Sequence, residues 1–293
     1  MAKSRIIRLG LAALLLSGIS SGGMAASQLD LDTPAGALTA MRKIQCSTTD
    51  GDIHTYGWEG GVFSRVPGER DRLLFKVEGM NIRQCGPLAG EEEGPGFKMV
   101  TREILLYLEP ETGKVLKEWK NPWTGNTVEV VQVTNDPVNQ RFSKVGRGGR
   151  AFAVPFIVQG DQWWFTSTVP LFYPNPLGGE YQEYIGGTYH ATEMFNFFGD
   201  VNELRDPEVS SVPASVGWAR LSGWLPWMEM GDRTGMLYFH TAGRKLDSYD
   251  DLSERMRQEI ARNYPDYAAP PPLSDERRNE TSWTFFKKVL DSQ

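Results

Sequence analysis

The chain has three histidines, His54, His190 and His240. Histidine is the side chain whose ordinary pKa lies closest to neutral, so these three are the first candidates for acid–base chemistry. His190 and Glu193 stand as His-x-x-Glu in a stretch rich in aromatic and β-branched residues. On a helix the two would share a face and could hold a metal or exchange a proton. On a strand, side chains alternate and the two point to opposite faces. The composition favours the strand, so no metal is expected, and Tyr189, Glu193, Phe195 and Phe197 share one face. If that face looks inward, Glu193 is desolvated and its pKa rises, which suits a general acid or base. His240 alternates with Tyr238 and Met236, and an imidazole beside a phenol near a strand end can pass protons. His190, Glu193 and His240 are thus the candidate catalytic residues, and His54, beside a turn, is weaker. The plainer alternatives are an outward, salt-bridged glutamate and histidines that only close hydrogen bonds.

The densest aromatic stretch runs from Trp218 to Gly231 and holds Trp218, Trp224, Trp227, Met228 and Met230. Pro226 prevents a regular central strand there. These side chains either seal a core or wall an apolar pocket. In the second case Tyr189, Trp218, Arg220, Trp224, Trp227, Met230 and Tyr238 would contact a ligand, with Arg220 anchoring an anionic group or stacking on a ring. The chain carries no Gly-x-Ser-x-Gly elbow, Walker loop, dinucleotide glycine pattern, His-Glu-x-x-His or Cys-x-x-Cys, so no cofactor is expected.

The elements that must position these residues read as follows. At 293 residues, 40% hydrophobic and 23% charged, the chain can bury a real core. Its start has three cations, an apolar run from Leu9 to Ile19, and small residues ending at Ala25 and Ala26. That pattern is a secretory signal peptide over residues 1–25 and implies a periplasmic or secreted protein. The run is too short to span a bilayer, so no membrane insertion is expected after cleavage. The net charge of −6 becomes more negative without Lys3, Arg5 and Arg8, which disfavours nucleic-acid and anionic-membrane partners. In an oxidising compartment Cys46 and Cys85 favour one disulfide over two separate thiols.

Thr33 to Ile44 reads as a short amphipathic helix opened by Thr-Pro. Short β-rich runs then alternate with turn residues. Arg102 to Val133 reads as a three-strand meander, and Phe152 to Val169 as a hairpin. Ser248 or Asp250 can cap a helix carrying Leu252, Met256 and Ile260. Trp283 to Leu290 reads as a final short helix or tail after a Pro-rich linker. This is a mainly β protein of one domain over 26–273 with a tail over 274–293. Closing the sheet into an antiparallel, calycin- or lipocalin-like β-barrel removes exposed edges most completely, so a barrel with short terminal helices is preferred over a two-sheet sandwich.

The leader, Tyr107–Gly113, Trp119–Gly125 and Trp224–Gly231 together resemble the bacterial domain-of-unknown-function family number eighteen thirty-eight. The resemblance covers roughly Leu29 to Pro270 and implies an exported protein of the same type, with no catalytic residues to carry over. The resulting expectation is a barrel that takes an apolar or aromatic small molecule, as a binding protein or as a cofactor-free lyase, isomerase or hydrolase. Two alternatives stand beside it. One is a carbohydrate-active protein with Trp platforms and paired carboxylates, and the other is a cell-envelope interaction protein.

Overall fold

The computed structural model describes residues 27–90, 94–146, 148–173 and 189–292. The expected leader and the side chain of Tyr189 lie outside the described residues. Helix α1 (Pro34–Gln45) begins where expected: Thr33 accepts the Gly36 amide, and Pro34 occupies the first turn, where its missing N–H costs nothing. Leu38, Met41 and Ile44 form its buried face. The next residue, Cys46, is bonded to Cys85, with 5.9 Å between Cα atoms.

Strands β1 (Ile53–Arg65), β2 (Arg72–Pro87) and β3 (Phe97–Leu108) form an antiparallel meander. The short β4 (Glu118–Lys120) and β5 (Thr127–Glu129) make a separate ribbon. Both β6 (Val133–Asn135) and β7 (Gln140–Phe142) return to pair with β3. A second meander follows, made of β8 (Ile157–Gln159), β9 (Gln162–Tyr173), β10 (Tyr189–Asp200), β11 (Ser215–Ser222) and β12 (Met236–Leu246). The five-residue α2 (Val201–Arg205) interrupts it after β10. Strand β12 pairs with β1 and fuses the two meanders into one ten-stranded antiparallel sheet, ordered β6-β3-β2-β1-β12-β11-β10-β9-β8 with β7 beside β6 on β3.

The mainly β, antiparallel expectation is met, but the sheet is open, which corrects the expected barrel closure. The reason is local. The free edge of β3 is taken by β6 and β7, and that of β9 by β8, so the two ends meet short strands instead of each other.

Alternation divides the sheet into two faces. On the outer face, Met80, Ile82, Ile104 and Leu106 are covered by Leu252, Met256 and Ile260 of α3 (Glu254–Asn263) and its flank. The inner face carries two apolar clusters. One joins Phe75, Tyr107 and Phe239 to the Trp224–Met230 loop and to Trp283 and Phe286 of α4 (Ser282–Asp291). The other seats α1 against Tyr56, Phe97, Phe165 and Val216. The C-terminal segment is thus part of the packed core, with Trp283 only 1% exposed. No helix among the described residues is long and apolar enough to cross a membrane.

Candidate functional site

Between the two apolar clusters the inner face is polar. Cross-strand pairing sets Thr101 and Glu103 of β3 beside Arg83 and Asn81 of β2, and Asn81 beside Tyr56 of β1. Farther along the same face, Thr241 of β12 pairs with Trp218 of β11, and Arg220 of β11 pairs with Glu193 of β10. The residues of this belt come from six strands, and each is there because inner-facing positions recur every second residue.

Two indoles stand over the belt. Trp58 and Trp218 meet edge to face, with ring centroids 6.4 Å apart. Trp58 has room because its neighbours on both sides are glycines. A Cβ on Gly79 would lie 2.3 Å from its indole, and one on Gly243 would lie 2.5 Å from its own Cβ. The polar groups are tied together beneath these rings. Arg83 donates to Asn81 Oδ1 at 2.7 Å and to Gln45 Oε1, and its guanidinium sits 4.5 Å from the Tyr56 ring centroid. Burial lowers its pKa to about 10, which still leaves it charged at neutral pH. Asn135 Nδ2 donates to Glu103 Oε1 at 2.7 Å. Arg220 Nη1 donates to Glu193 Oε1 at 2.9 Å, with side-chain exposures of 14% and 20%.

Burial is the main cause that holds the Glu103 carboxyl above the usual glutamate range, and the charge of Glu193 adds to it. The hydrogen bond from Asn135 and the charges of Arg220 and Arg83 pull the other way. Glu103 on β3 and Glu193 on β10 are five strand steps apart in the ladder, which on a flat sheet is roughly 24 Å at the usual strand spacing. At that separation charges in solvent are screened. Packing curls the sheet instead: Tyr56 of β1 meets Phe197 of β10 with ring centroids 6.4 Å apart, and Ala191 of β10 shares a buried cluster with Leu105 and Tyr107 of β3, so β3 and β10 face each other across a trough.

The buried polar atoms of the inner face without a hydrogen-bond partner among the described residues include Trp58 Nε1, Asn135 Oδ1 and Ser222 Oγ. Together they offer a donor, an acceptor and a hydroxyl that can act as either. Buried groups of this kind call for a partner such as water or a ligand.

Residues nominated from sequence distribute unevenly. Glu193, Trp218 and Arg220 come together in the belt. Trp224, Trp227 and Met230 are buried in the cluster beside it and seal that end of the trough. His190 and His240 lie exposed on the outer face, and Tyr238 shares that face opposite Phe63 of β1. Tyr238 stacks on Phe63 at 4.9 Å and lies under Arg65. Of the histidines, only His54 shares the inner face, next to Arg83. Desolvation first, then the charge of Lys245, lowers its pKa to about 4, so its imidazole is neutral at pH 7. Glu103, Arg83 and Asn135 were not nominated.

A family model described as a protein of unknown function, DUF1838, matches residues 51–290. The chain belongs to the DUF1838 family. The match takes in every strand of the sheet, both belt carboxylates and nearly all of α4, whereas α1 and Cys46 precede it. In this DUF1838 protein the whole trough except the α1 plug thus lies within the family's span. No curated protein matches the chain.

Proposed function

We propose that this is an exported protein whose trough, a calycin-like container left open along one side, binds a small molecule and transfers protons on it. The ligand's apolar or aromatic part lies against Trp58 and Trp218, and its polar part occupies the belt. Glu103, whose carboxyl is held above the usual glutamate range chiefly by burial, serves as the acid. Glu193, compensated by Arg220, serves as the base. No cofactor is needed for such a step. The observation that carries the reading is the facing pair Glu103 and Glu193 beside buried polar atoms that lack partners. The Cys46–Cys85 disulfide supports export.

The test is native mass spectrometry of the full chain purified from the envelope of its own cell. A retained small molecule is expected, lost in Trp218→Ala and kept in Glu103→Gln. A protein that carries nothing, or a ligand unaffected by Trp218→Ala, overturns the proposal. The expected leader is checked by N-terminal sequencing of the same sample, which should begin after Ala25 or Ala26.

A second reading has its own support in the same two carboxylates. A paired acid and base beneath Trp rings is also what glycosidic-bond cleavage requires. Sugar masses in the retained ligand select it over the first reading.

A further inference from the structure

A second hollow, remote from the trough, differs from the rest of the molecule in charge. It has a volume of about 630 Å³, within the range of small-molecule sites. It lies between α3 and the segments that follow β3 and β5. Val115, Leu116 and Val130 supply apolar surface, and Tyr264 closes one end. Four cations line it, Lys114, Lys117, Arg255 and Arg262, against two acids, Glu129 and Glu259. In a chain of net charge −6 this inverts the local sign.

Three of the four cations are not consumed by the fold. Arg255 is engaged with Glu78 and with the Gly113 carbonyl. Lys114, Lys117 and Arg262 form no ion pair among the described residues. Of the acids, Glu259 already accepts a hydrogen bond from Asn263 at 2.6 Å. Arg262 also stands in the last turn of α3, where its charge offsets the free carbonyls of the helix end.

We propose that this groove binds an anionic amphiphile of the fatty-acid type. Its carboxylate is met by Lys114, Lys117 and Arg262, and its chain lies along Val115, Leu116 and Val130. The charge selects the head, and the apolar strip excludes a purely inorganic anion as the preferred ligand. This site is independent of the trough and of the chemistry proposed there.

The test is calorimetric titration of the full mature chain with decanoate, decanol and inorganic phosphate. Saturable one-to-one binding of decanoate is expected, tighter than that of either other probe. The exposed double variant Lys117→Ala/Arg262→Ala should weaken it about tenfold, as expected for two solvent-facing charge contacts. Trp218→Ala should leave it unchanged. Absence of saturable binding, indifference to the double variant, or loss in Trp218→Ala overturns the proposal. Phosphate binding as tightly as decanoate overturns the amphiphile class.

Discussion

Replacing Arg220 by Met tests whether the belt is an interior electrostatic unit. The substitution keeps an unbranched apolar stem and removes the charge that faces Glu193. Breaking a fully buried pair by deleting one partner costs about 3–5 kcal/mol, and breaking an exposed one costs about 0.2–1 kcal/mol. With 14% and 20% of the two side chains exposed, the pair lies between these limits, and about 2 kcal/mol is expected near pH 7.5. For a chain of this size that is a midpoint shift of roughly 3–4 °C.

The pH dependence separates charge from packing. Arg220 is one of the groups that lower the Glu103 pKa, so its removal pushes that carboxyl still higher. A carboxyl raised in the folded state binds more proton there than in the unfolded chain. Stability therefore falls as pH rises from the ordinary glutamate value through the folded one. Arg220→Met widens this window, so its cost should grow between pH 3 and pH 7.5 and be small at the acid end. Urea denaturation at both values, with the double variant Glu193→Gln/Arg220→Met recovering part of the loss, reads this directly. A cost below about 0.5 kcal/mol at pH 7.5, within the ordinary scatter of surface substitutions, would refute the reasoning. So would an equal cost at both pH values.

Three further outcomes follow from the same packing. Glu103→Gln keeps the acceptor for Asn135 and removes the charge, so it should stabilise the protein at pH 7.5 and leave it unchanged at pH 3; thermal melts at both pH values check this. Removing the Cys46–Cys85 bond by double alanine substitution opens a loop with a sequence separation of 39. In the chain-entropy model that costs about 4 kcal/mol, measured by denaturant titration against the oxidised parent. Gly79→Ala places a methyl group 2.3 Å from the Trp58 indole, and overpacking of about 1–3 kcal/mol is expected. An unchanged melting temperature for Gly79→Ala would show that the ring can move aside.

The parts of the fold legible in sequence are those fixed by neighbours along the chain. The Thr33-Pro34 start of α1 is local chemistry and appears as read. The later helix is displaced because Tyr249–Asp251 forms a separate tight turn closed by Ser248 and Asp251, and α3 is capped by Ser253 instead. The meander expected over Arg102 to Val133 breaks after β3 for a tertiary reason. Asn121 is buried and donates to the Met228 carbonyl at 3.0 Å, which ties the β4–β5 ribbon to the Trp-rich loop and away from the sheet. Sheet closure was not legible either, because it depends on which short strands occupy the two edges. The site divides in the same way. Alternation alone separates Glu193 from His190, and the structure keeps them on opposite faces. Glu103 stands at the start of the continuous apolar run Ile104 to Leu108, and nothing near it in sequence reveals a partner carboxylate five strands away.

That distance along the ladder is also what makes the pair informative. Two half-buried carboxylates within each other's field oppose folding, and a glutamine at the Glu103 position would remove the opposition while keeping the acceptor for Asn135. Asn135, Arg83 and Arg220 reduce the penalty without abolishing it, since Glu103 remains raised. The flanking clusters increase it: Trp227 and Trp283 exclude water at one end, and α1 does so at the other. A fold optimised for stability alone would relax this arrangement with one substitution. Under the proposed function, its presence in the trough with Trp58 Nε1, Asn135 Oδ1 and Ser222 Oγ is where stability would be traded against activity. Glu103→Gln should then separate the two, raising the melting temperature while abolishing proton transfer. A variant both more stable and fully active would assign the pair to structure alone.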